Sequence, residues 1–166
     1  MKILLLSILI LLGTFSAAVI VPFFSWDNTC YNQVAADAAE MFDLDINEFN
    51  IVFSRNVVSA SGQPVQGVFR TSKTEEKKTI EINTSWSRPM VISTIFHEFA
   101  HAAQYKHELC GGDLNHEQHA EALAFDAMWN SKYWWNAVHM LTLHMAAGKP
   151  ADYRTPASLW NIAIGR

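Results

Sequence analysis

The chain has 166 residues, half of them apolar, with 12 basic against 16 acidic side chains and a formal net charge of −4. Without a basic excess there is no field to draw in a nucleic acid, and ten Phe with only 17% charged residues exclude a disordered chain. The apolar half is two populations: residues 1–24 hold 18 apolar side chains and the other 142 hold 65, about 46%, as in an ordinary globular domain.

After Lys2, residues 3–24 carry no charge. As a helix they would span roughly 33 Å, close to the ~30 Å of a bilayer's hydrocarbon core. Residues 1–24 therefore read as a signal anchor, N-terminus in and C-terminus out, or as a signal peptide cleaved near Ser16-Ala17-Ala18. The apolar run continues past that site to Phe24 and Trp26, which favours the anchor and membrane association through residues 3–24. Either version puts residues 25–166 outside the cytosol, as one domain of about 140 residues that can bury enough surface to fold without a metal or a disulfide. In that compartment Cys30 and Cys110 are expected to form one disulfide, the alternative being two buried thiols.

Apolar spacing predicts a helix over residues 30–44, and β-branched and aromatic runs predict strands at 51–53, 65–69 and 79–82. Residues 59–64 and the charged run 73–78 read as the turns between strands, the second as a solvated hairpin tip. Ser87 and Pro89 open a helix running to about His107, with Gly111-Gly112 ending it. Asp113 or Asn115 can cap the next helix, to about Asn130, and more helix follows to Ala147 before an irregular tail with Pro150 and Pro156. The result is an α+β domain, a small antiparallel or mixed sheet packed on two long helices.

His97-Glu98-Phe99-Ala100-His101 is an H-E-x-x-H sequence. Four residues apart on a helix, the two imidazoles share a face and can reach one zinc, with Glu98 beside them to take a proton from its water. Val91, Ile92, Ile95, Phe96, Phe99, Ala102 and Ala103 surround the motif, so the helix is expected to be buried and its imidazoles to need partners. A catalytic zinc wants a third protein ligand. His107 lies six residues after His101, but on a continuing helix it is turned about 240° away from the metal-facing side.

Glu117-Gln118-His119-Ala120-Glu121 has the form E-x-x-A-E, and together with H-E-x-x-H it resembles the gluzincins, the thermolysin-like branch of the zincin metallopeptidases. The likeness covers Thr94 to Asp126. It implies a zincin-like domain in which Glu117 is the third zinc ligand and Glu121 accepts a hydrogen bond from a ligand imidazole. His116, His119 and Glu121 are the alternative ligands, and a following His more weakly resembles SprT-like proteases. The family usually has Asp where Glu121 stands, and its interval from His101 to Glu117 is longer. The implied activity is zinc-dependent hydrolysis of a peptide or protein substrate, with Glu98 as general base and residues 79–82 as the edge strand that aligns the substrate. Tyr105, His119, Tyr133 and His139 are candidate donors to the developing oxyanion.

Met128, Trp129, Trp134, Trp135, Met140 and Met145 read as core at helical spacing. His139 and His144, five apart, do not make a ligand pair. Asn83-Thr84-Ser85 is a glycosylation sequon. The alternative to an enzyme is a catalytically silent zinc-binding module of the same shape, which would have no need of a base at position 98.

Overall fold

Val34, Ala35, Ala38 and Ala39 recur at helical spacing, and all four are at most 1% exposed along the buried side of helix α1, Asn28–Met41. The computed structural model describes residues 28–72, 77–109 and 115–146, with side chains described for 30–72, 77–109 and 115–140. The leader at 1–24, Cys110, the Gly111-Gly112 pair, Asp113, most of the charged run (73–76) and the tail with Pro150 and Pro156 lie outside the described residues. So does the expected disulfide partner of the exposed Cys30; no disulfide is present among the described residues. Among them no helix is long and apolar enough to cross a membrane.

The chain leaves α1 through Asp43, whose left-handed backbone (φ 54°) turns it, while the Leu44 amide bonds back to the Ala39 carbonyl. Asp45 then caps a single 3-10 turn, Ile46–Glu48, by accepting from the Asn47 amide. Strands β1 (Phe49–Ser54), β2 (Gly67–Arg70) and β3 (Lys78–Asn83) form one mixed sheet in the order β1-β3-β2. β3 runs parallel to β1 and antiparallel to β2, with Ile51 and Phe69 both opposite Ile80. Because strand side chains alternate, Phe49, Ile51, Phe53, Phe69, Ile80 and Ile82 share the face that joins the core. The other face carries Asn50, Thr79, Glu81 and Arg70, and Arg70 Nε lies 3.2 Å from Glu81 Oε1.

The zincin resemblance implies residues 79–82 as the substrate-aligning edge strand, and here the structure differs. β3 is the centre of the sheet, bonded on both sides, and the edges are β1 and β2. A parallel β1–β3 pair requires a crossover, and β2 fills it as a hairpin strand on the far side. Lys78, read as part of a solvated tip, opens β3 instead, with its ammonium 3.1 Å from Glu48 Oε2 and over the rings of Phe49 and Tyr105.

Helix α2, Arg88–His107, has Ser87 at its N-cap and Pro89 in its first turn. It ends before the glycines expected to stop it, at Glu108, whose backbone is left-handed (φ 50°). α2 is the centre of the domain: Val91, Ile95, Phe96, Phe99 and Ala100 are fully buried, and the helix packs against α1, the sheet and two further helices. These are α3, His116–Trp129, and α4, Trp134–Ala146. Asn115 caps α3 reciprocally with Gln118, each side chain meeting the other's backbone amide. Tyr133, just before α4, packs edge-on against Phe96 and donates its hydroxyl to Asp37 of α1.

Met128 and Met140 are buried in this core, as expected, and Trp129 packs against it. Trp134 and Trp135 are not: both are exposed, edge to face on one another at the start of α4. The Asn83 of the sequon is buried, with Nδ2 donating to the Val65 carbonyl, so it offers no acceptor amide for a glycan.

Candidate metal centre

His97 and His101 stand one turn apart on α2, with their rings perpendicular and their Nε2 atoms 3.0 Å apart. From the first turn of α3, Glu117 brings Oε2 to 3.2 Å from His97 Nε2 and 3.3 Å from His101 Nε2. Three donors from two helices thus meet in one small triangle, a group able to hold one metal ion. The fully buried Ala100 on α2 and Ala120 and Ala124 on α3 allow the close helix approach that brings Glu117 there. A carboxylate also suits the first turn of a helix, where the unbonded amides of the N-terminus face it. The site is closed around His101, whose side chain is 9% exposed, and open at Glu117, at 67%.

Hydrogen bonds from His101 and His97 hold the Glu117 carboxyl far below the usual range. Burial lowers the His101 pKa, but the Glu117 hydrogen bond and the charges of Glu117 and Glu98 outweigh it, so the imidazole holds its proton more tightly than a free one.

Glu98 lies on the same turn of α2, 5% exposed and packed against strand β2. Burial raises its pKa, opposed by the neighbouring imidazoles and by the Phe69 backbone N–H that donates to it. The strand comes close because residue 67 is glycine. A Cβ there would sit 2.8 Å from Glu98 Oε1 and 2.6 Å from Thr94 Cγ2. Gly67 was not singled out by sequence reasoning, although a glycine inside a strand pattern is itself a sign of close backbone approach.

Gln104 was also missed as a site residue. It is 4% exposed, and its Oε1 is 2.9 Å from His101 Nδ1 while its Nε2 is 3.0 Å from both the His116 carbonyl and His119 Nδ1. The signal was a polar residue three after His101 in an otherwise apolar stretch. The acceptor that faces His101 Nδ1 is Gln104, and Glu121 is half-buried one turn further along α3 than Glu117.

The remaining candidates separate. His116 stacks its ring on His101 at 4.8 Å, and His119 turns Nδ1 to Gln104, so neither is among the three clustered donors. His107 faces the Phe42 carbonyl at the end of α1, as its helical angle required. Of the proposed oxyanion donors, Tyr133 has its proton committed to Asp37, Tyr105 is exposed edge-on to Phe69, and His139 is half-buried on α4. No protein-family model matches the chain, and no significant match was found among curated proteins or solved structures.

Proposed function

We propose that the protein is a zinc-dependent metallopeptidase that hydrolyses peptide bonds outside the cytosol. The observation that supports this best is the triangle of His97 Nε2, His101 Nε2 and Glu117 Oε2, with edges of 3.0, 3.2 and 3.3 Å, beside a buried glutamate. A tetrahedral zinc with ligand bonds of about 2.0–2.1 Å requires edges of about 3.3–3.4 Å, so the donors need only a few tenths of an ångström of adjustment. Two imidazoles and one carboxylate with an open side are the donor set of a catalytic rather than a structural zinc.

When bound, zinc supplies a Lewis acid that polarises the scissile carbonyl and eases deprotonation of water. Glu98 takes the proton from the attacking water as the new C–O bond forms, and delivers it to the amide nitrogen as the C–N bond breaks. Its burial against Gly67 keeps bulk water from the carboxylate. β2, the edge strand in contact with Glu98, replaces β3 as the element that aligns an extended substrate. The leader at residues 1–24 is the basis for placing the reaction outside the cytosol, and accessibility of the full chain to added protease in intact cells tests that placement.

Glu98→Gln is expected to retain stoichiometric zinc and lose about 10²–10⁴-fold in peptide hydrolysis. Glu117→Ala is expected to lose the metal. Zinc-loaded protein without peptide hydrolysis would leave the silent zinc-binding module, and purified protein that takes up no metal would remove both readings.

A further inference from the structure

Gln104 touches both helices that make the metal centre, and its hydrogen bonds admit one arrangement. The His116 carbonyl can only accept, so the amide nitrogen must face it. Oε1 then faces His101, whose Nδ1 must donate, and the second N–H of the amide goes to His119, whose Nδ1 must accept. Both donors of the carboxamide are used and its acceptor is filled, at a residue only 4% exposed. In the neutral imidazole that a metal requires, the remaining proton is thus kept on His101 Nδ1 and the lone pair of Nε2 is left toward the space shared with His97 and Glu117.

We propose that Gln104 is the positioning residue of the metal centre, setting the tautomer of His101 with its oxygen and seating the first turn of α3 with its nitrogen. The second grip matters because His116 and His119 flank Glu117, so the side chain that orients one ligand also holds the backbone that presents another. Only a carboxamide of this length does both. A carboxylate could orient His101 but would set oxygen against the His116 carbonyl, and an apolar side chain would fill the space and hold neither helix. The inference rests on the metal centre of the proposed function but not on peptide hydrolysis.

The test is zinc affinity of the full chain, by competition with a chromophoric chelator, together with 1H–15N spectra of the histidines in the zinc-loaded protein. Gln104→Leu is expected to bind zinc about ten- to a hundredfold more weakly and to lose the slowly exchanging Nδ1–H signal of His101. Gln104→Glu keeps the shape and the acceptor, so it is expected to keep that signal while still binding zinc more weakly, because the grip on α3 is gone. Zinc affinity within about twofold of the unaltered protein in both variants overturns the proposal, even if their metal-free stability falls, since that is what a packing role alone would give. Should Gln104→Leu fail to fold, Gln104→Glu decides by itself. An unaltered protein that binds zinc but cleaves no peptide defeats the peptidase reading and leaves this one standing, whereas one that binds no zinc defeats both.

Discussion

An alanine at position 67 would place its Cβ under 3 Å from two atoms of Glu98 and one of Thr94, both held by the buried middle of α2. Neither neighbour has room to retreat, so Gly67→Ala is expected to cost about 1–3 kcal/mol in thermal unfolding and to displace Glu98 from its place. Zinc content should survive, because the atoms that the new Cβ meets most closely belong to Thr94 and Glu98 and not to a donor, while hydrolysis should fall as it does in Glu98→Gln. Full activity in Gly67→Ala would mean that the contact with the strand does not position Glu98.

The donors also set a pH dependence. In the metal-free protein Glu117 is held below its ordinary 4.5 by His101 and His97, and His101 is held above its ordinary 6.5 because Glu117 and Glu98 outweigh its burial. A depressed carboxyl stabilises above its unfolded pKa and loses that contribution as pH falls through its folded value. A raised imidazole stabilises below its unfolded pKa and loses its contribution as pH rises through its folded one. The pair is thus fully effective between 4.5 and 6.5. Zinc accepts only the deprotonated imidazole, so loading should move the pH of greatest stability upward. Urea midpoints followed across pH, with chelator and with zinc, measure this, and superimposable profiles would count against a metal at these donors.

Among the elements, α2 and α3 carry the site, and they differ in what holds them. α2 is fixed by burial on several sides, whereas the first turn of α3 is exposed at His116 and Glu117 and depends on its cap and on Gln104. Removing the cap in Asn115→Ala is expected to cost about 0.5–2 kcal/mol of stability. It should also weaken zinc binding, because Glu117 lies two residues into the helix it frays. Calorimetry and chelator competition on the same variant separate the two effects, and an unchanged zinc affinity would show that α3 is seated without its cap. The helices and strands were legible in the sequence because their signals are local: Pro89 in a first turn, alanines at helical spacing, short β-branched and aromatic runs. The exposed Trp134 and Trp135 were not, because helical spacing says that a face is apolar without saying whether another element reaches it.

For the molecule as a whole, metal and core are separable. Phe96, Phe99, Phe125, Ile80, Ile82 and Met128 are fully buried without any help from the donors. Chelation should therefore leave the far-UV helical signal intact and lower the melting temperature. By linkage, zinc at a thousand times its Kd adds about 4 kcal/mol. Loss of helical structure on chelation would instead make the metal a structural one.

The sequence by itself determined the α+β class, the order of the elements, the paired imidazoles and the glutamate beside them, because a spacing of four on a helix fixes geometry within a single turn. It pointed to Glu117 only by resemblance, with three neighbours as alternatives. Tertiary structure brought Glu117, and none of those neighbours, into one cluster with the two imidazoles, 20 residues from His97 in the chain yet 3.2 Å away in space. It also put β2 rather than β3 at the sheet edge, set Gly67 against Glu98, and made Gln104 the link between α2 and α3. All four depend on how helices cross and strands are ordered, and that is settled by packing the whole core, which no local spacing encodes.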